Sequence, residues 1–136
     1  MTPRPAVRDQ KRRGVAAAEF AVCLPVLVLV VFASIEACTM IFLKESLTVA
    51  AYEGSRVVFQ SSATDADVIA RCQEVLAERS VDGATVEVLP ADFGTIAAGE
   101  PIEIRVSAPC ASNAVIPVWF YGGTTMTGSS IVMSEY

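Results

Sequence analysis

From Val15 to Leu43 the chain places 29 residues in a row with only two charges, Glu19 and Glu36. As a helix this run would reach roughly 43 Å at about 1.5 Å per residue, more than a hydrocarbon core of about 30 Å requires. The pattern predicts one membrane-spanning helix over 15–43. Past Leu43 the apolar residues Leu47, Ala50, Ala51, Gly54, Val57 and Val58 recur at helical spacing among polar Lys44, Glu45, Glu53 and Arg56, so the helix continues, now amphipathic, to about residue 60. Ser61 to Thr64 interrupt it. Thr64 with Asp67 makes a capping signal, and Val68, Ile69, Cys72, Val75 and Leu76 supply the stripe of a second helix over about 65–79, which Asp82-Gly83 stops.

The period then changes from helical to twofold. Val86 and Val88 alternate with Thr85 and Glu87, and Ile102, Ile104, Val106 and Ala108 alternate with Glu103, Arg105 and Ser107, which predicts strands over about 84–89 and 101–108. A third strand is expected over about 124–135, with Gly128 as a bulge. The fold class that follows is α+β: a long N-terminal transmembrane helix continuing into a small domain with a second short helix and a three-stranded antiparallel sheet. In domain terms, residues 1–14 form a leader, 15–43 the span and 44–136 an exported domain.

Some residues admit two readings from the pattern alone. Ser46, Ala50 and Gly54 form a ladder of small residues at every fourth position, suited to core packing against the sheet before a seam between subunits. Trp119, Phe120 and Tyr121 would close a small core before they would form a contact patch. Pro25 removes the bond to the Ala21 carbonyl and is expected to kink or loosen the span there. Glu36, 17 residues after Glu19, is expected at the headgroup level of the far bilayer edge, with a subunit contact as the lesser reading.

Charge adds an orientation. Arg4, Arg8, Lys11, Arg12 and Arg13 precede Gly14 with Asp9 as the only acid, whereas the part after Gly14 holds five basic and fourteen acidic residues, a formal charge of −9. Lys and Arg beside a span stay on the cytoplasmic side, so the amino end is expected inside and Lys44 onward outside. An acidic exported domain is a poor partner for nucleic acid, and none is expected.

Chemistry is bounded by what the chain lacks. It contains no histidine and no C-x-x-C pair, which excludes the common zinc sites and histidine-based catalysis, and it has no phosphate-binding glycine loop. No metal, cofactor or enzymatic activity is expected. Cys23 and Cys38 belong to the span and are expected as packed thiols. Cys72 and Cys110 fall in the exported part, where an oxidising compartment would allow a helix-to-loop disulfide, although no distance follows from the sequence.

The junction before the apolar run carries the one specific motif. Gly14 precedes Val15, Ala16, Ala17, Ala18, Glu19 and Phe20, a G-x-x-x-x-E-F pattern on the upstream side of the apolar run, where a secretory signal would instead be cut downstream of it. This resembles a class III prepilin signal, and the run from Arg12 to Val58 is similar to TadE-like minor pilins, or pseudopilins, of tight-adherence (Flp-type) pilus systems. The resemblance covers under half of the chain, and the carboxyl half shows no motif that can be carried over.

The resemblance implies that a prepilin peptidase in the inner membrane cuts between Gly14 and Val15, leaving Glu19 as the fifth residue of the trimmed chain. Other pseudopilins of the TadE and TadF kinds, the major pilin and the assembly platform are the implied partners. Glu19, with Phe20 beside it, would then dock subunits: a carboxylate roughly 6 Å inside the helix start is costly in hydrocarbon unless paired, and a neighbour's newly exposed α-amino group has the right sign. Two other readings compete. In one, the chain is a generic single-pass membrane protein with a periplasmic binding domain; in the other, Ile35-Glu36-Ala37-Cys38 is a lipobox-like ending and Cys38 a lipid anchor.

Overall fold

The computed structural model describes residues 8–116 and 120–135, with side chains from Gly14 onward. Helix α1 runs from Arg8 to Val57, α2 from Asp65 to Glu78, and three strands follow: β1 (Thr85–Leu89), β2 (Pro101–Pro109) and β3 (Thr125–Met133). The architecture is the α+β arrangement expected, with strand order β1-β2-β3 and both pairings antiparallel. Two compact units divide the chain, the first ending at Ile35 and the second starting at Glu36.

In the first unit, residues 14–35 are all exposed, among them Phe20, Val22, Leu27 and Val31, so this apolar surface has no cover among the described residues. α1 holds the one stretch among the described residues that is long and apolar enough to cross a membrane. The helix continues unbroken through Pro25. It also begins at Arg8, so the basic residues just before Gly14 are helical, as Lys and Arg readily are.

The second unit is built around β2. Its Ile102, Ile104, Val106 and Ala108 are buried on alternate positions, while Glu103, Arg105 and Ser107 are half-exposed, as an edge-flanked central strand with one covered face requires. The covering face comes from α1, whose Met40, Leu43, Leu47, Ala50, Ala51 and Val57 are buried at helical spacing, from Val58 just beyond it, and from Val68, Cys72, Val75 and Leu76 of α2. α2 starts where the sequence places it. Asp67 N–H donates to Thr64 Oγ1 at 3.4 Å and Thr64 N–H donates to Asp67 Oδ2 at 2.9 Å, a reciprocal capping box.

Gly128 is not a bulge. β2 and β3 pair residue for residue from Pro101↔Met133 to Pro109↔Thr125, with Val106 opposite Gly128 and no extra residue on either strand. The glycine has a packing cause instead: a Cβ built there would lie 2.5 Å from the Thr48 nitrogen and 2.6 Å from the Leu47 carbonyl carbon, so only hydrogen fits between β3 and the α1 backbone. The small-residue ladder works in the same way. Ser46, Ala50 and Gly54 are all buried, and a Cβ at Gly54 would collide with Cys72 Sγ and touch Val68 and Ile104. It is the core-packing face of α1.

Candidate functional site

The residues singled out at the junction lie on α1 in the first unit. Gly14 is exposed, and a Cβ added to it would meet nothing within 4 Å. Val15, Glu19 and Phe20 are exposed as well. Val15 and Glu19 are four residues apart on one helix and therefore share a face. Pro25 lies a turn and a half further on and is likewise exposed.

The second acid is placed quite differently. Glu36 is 3% exposed, and its Oε1 accepts the backbone N–H of Phe120 at 2.9 Å and of Tyr121 at 3.2 Å. The headgroup position expected of it from spacing alone is therefore replaced by a core position. A buried carboxylate is tolerated because the turn supplies two donors aimed at one oxygen. One signal in the sequence could have found this: Glu36 precedes Met40, Leu43 and Leu47 at intervals of four, seven and eleven, so it sits on the stripe that enters the core. Its partners, 84 and 85 residues away, could not be read from the pattern.

The aromatic group expected to close the core divides. Trp119 lies outside the described residues. Tyr121 is half-buried and packs against the core, whereas Phe120 is 71% exposed.

Cys72 and Cys110 are both buried and both are free thiols, so the bond weighed from the sequence is not formed in this structure. Cys72 Sγ points instead at the α1 backbone and donates to the Ala50 carbonyl at 3.3 Å. Burial pushes the Cys72 thiol up to about 11, and burial also raises that of Cys110. Both are thus protonated and poor nucleophiles at neutral pH. Cys23 and Cys38 are exposed on α1 rather than packed within the chain.

A charged seam joins the two helices of the second unit. Arg71 of α2 bonds Glu53 of α1 at 3.1 Å and Glu74 at 2.7 Å, while Arg56 reaches Glu53 at 3.3 Å. The hydrogen bond from Arg71 is the main reason the Glu53 carboxyl is held below the usual range. Among the described residues, no cluster of three or more His, Cys, Asp or Glu could hold a metal ion.

Residues 14–56 match the family model described as TadE-like protein. The match begins on the glycine of the G-x-x-x-x-E-F motif and ends one residue short of the end of α1, so the matched segment is a single helix. It is consistent with a TadE-like protein of tight-adherence pilus systems, the resemblance read from the sequence. No curated protein and no solved structure matches the chain. The TadE-like match thus bears on α1, and the sheet and α2 are characterised by their geometry alone.

Proposed function

We propose that this chain is a non-catalytic minor pilin of a tight-adherence pilus: a single-pass inner-membrane protein that is trimmed between Gly14 and Val15 and enters assembly by packing its N-terminal helix. The observation that carries the reading is the TadE-like match over residues 14–56, which starts at the glycine where the cut is placed. The open space around Gly14 adds support. Among the described residues no contact crowds Gly14, and open backbone of this kind suits access by a peptidase.

In this reading the amino end is cytoplasmic and the domain from Lys44 onward periplasmic. Glu19 pairs with the α-amino group that trimming exposes on a neighbouring Val15, which sets the axial stagger of packed subunits. The prepilin peptidase, a second pseudopilin, the major pilin and the assembly platform are the partners. Packing through the helix has a surface to use: Ile41, Phe42 and Tyr52 remain exposed on α1 while its opposite side is buried in the core. The lipoprotein alternative fits less well, because cleavage before Cys38 would remove Glu36, the acid that binds the Phe120 and Tyr121 amides.

Amino-terminal sequencing of protein extracted from membranes of cells with and without their prepilin peptidase tests this. A chain starting at Val15 only when the peptidase is present is expected. A chain starting at Met1 in both, in cells that still build normal pili, would contradict the proposal.

A further inference from the structure

We propose that two copies of this chain join edge to edge through residues 129–133 of β3, the two strands running antiparallel about Ile131, and that Lys44 fixes where along β3 they meet. The inference concerns only the unit from Glu36 onward and does not depend on any part in pilus assembly.

β3 lies at the margin of the sheet, with β2 on one side and no strand on the other. Which of its backbone groups turn outward follows from the ladder. Ser134 N–H donates to the Glu100 carbonyl at 2.9 Å and Cys110 N–H donates to the Thr124 carbonyl at 2.9 Å, so even-numbered residues bond β2 at both ends of the pairing, and no residue is inserted between them. Direction alternates along an antiparallel ladder, so Thr125, Thr127, Ser129, Ile131 and Met133 point both N–H and C=O away from β2. Lys44 Nζ donates to the Thr127 carbonyl, which occupies the first half of this edge. Among the described residues nothing bonds the outward groups of Ser129, Ile131 and Met133.

Sheets protect such an edge with charge, proline, a bulge or a short strand. The free half of β3 has none of these. The strand is nine residues long, TMTGSSIVM, and pairs with β2 throughout without a bulge. Its apolar side chains are uncovered as well, since Ile131 is 63% and Met133 59% exposed on the open face of the sheet. β1, at the other margin, is five residues long and carries Glu87.

Charge and pattern together name the occupant. From 106 to 134 the chain has no formal charge, while the part after Gly14 carries −9, so this margin is where two equally acidic copies meet with the least repulsion. One strand further in, Glu103 stands opposite Ile131 and is neutralised by Arg105 at 2.9 Å. An edge of this kind takes an uncharged strand with apolar side chains at alternate positions. β3 is itself such a strand, and among the described strands it alone has no charge. The register that avoids Thr127 and uses all three free residues centres on Ile131. Ile131 then faces its counterpart, Ser129 faces Met133 of the second copy, and about six backbone hydrogen bonds form.

The test uses the full chain purified in detergent, with Cys23→Ser and Cys38→Ser removing the exposed thiols. Ile131→Cys should give a disulfide-linked dimer under mild oxidation, because opposed residues of this kind have Cα atoms about 5.5 Å apart, within disulfide reach. Ser129→Cys and Met133→Cys should each stay unlinked alone and should link when mixed. Ile131→Lys sets two like charges face to face and should abolish the dimer seen by sedimentation, with the thermal midpoint unchanged because the position is exposed in the single chain. Lys44→Ala frees the Thr127 carbonyl, so the longer pairing centres on Ser129, and Ser129→Cys should then link to itself.

A monomer at every concentration reached, with no link at Ile131→Cys, overturns the proposal. A dimer that survives Ile131→Lys joins the chains elsewhere and overturns it too, as does linkage of equal extent at all three positions. In membranes of cells making the Ile131→Cys chain, linkage to a different protein in place of a second copy gives the edge another occupant and has the same consequence. Ser129→Cys that stays unlinked beside Lys44→Ala overturns the part assigned to Lys44.

Discussion

Gly128 of β3 and Thr48 of α1 meet backbone to backbone, close enough that a methyl group at Gly128 would stand 2.5 Å from the Thr48 nitrogen. The obstacle is main chain in the middle of a helix, which cannot swing aside as a side chain can. Gly128→Ala should therefore cost at least the ~1–3 kcal/mol typical of overpacked cores. A lowered thermal midpoint of the detergent-solubilised chain is the measurement; an unchanged midpoint would contradict the contact.

Gly54 and Cys72 form a second tight pair, but here the obstacle is one sulfur atom. Gly54→Ala alone should destabilise the domain by about 1–3 kcal/mol, since the new methyl meets Cys72 Sγ. In the Gly54→Ala, Cys72→Ala double variant the methyl takes up space the sulfur vacates. A double-mutant cycle of unfolding free energies should show the two changes coupled, with the pair less destabilised than the sum of the single variants.

Acid should weaken the domain in a defined direction. The Arg71 hydrogen bond lowers the Glu53 carboxyl, and the Thr64 side chain lowers that of Asp67. Folded-state values below the unfolded ones mean that the unfolded chain takes up protons first as pH drops. Their contribution is present above the ordinary carboxylate range and is lost as pH falls through it to the lowered values. Replacing both with Glu53→Gln and Asp67→Asn should flatten the acid limb of a stability-versus-pH curve, read by denaturant titration.

Glu19→Ala separates docking from insertion. An apolar substitution on an exposed face of α1 should leave membrane integration and trimming intact while pilus assembly fails, because the carboxylate proposed to pair with a neighbour's amino group is gone. Immunoblotting of membrane and sheared-surface fractions checks both halves. Normal piliation by this variant would place Glu19 at the headgroups without a docking role.

Thiol labelling tests the core cysteines. Cys72 and Cys110 should resist a soluble maleimide in the native domain and react after unfolding, since both are buried and burial raises both thiols. Fast native labelling at both would show that the core is open.

Much of the fold was legible because it is written in local periodicities. A 29-residue run with two charges announced a long apolar helix, the Thr64–Asp67 pair announced the start of α2, and alternating residues placed β1 and β2 to within one residue. The G-x-x-x-x-E-F junction was legible for a related reason, since all its parts lie within seven consecutive positions.

Tertiary structure decided what depends on distant segments meeting. Gly128 looked like a bulge because a glycine in a strand has two common causes, and only the approach of the Thr48 backbone distinguishes them. Glu36 looked like an interfacial acid because apolar sequence surrounds it, whereas amides 84 and 85 residues later make its burial affordable. Periodicity tells which way a side chain faces, and pairing across the fold tells what it finds there. The chain alone therefore established the long apolar helix, the motif and the elements, while the folded unit assigned the ambiguous residues their partners.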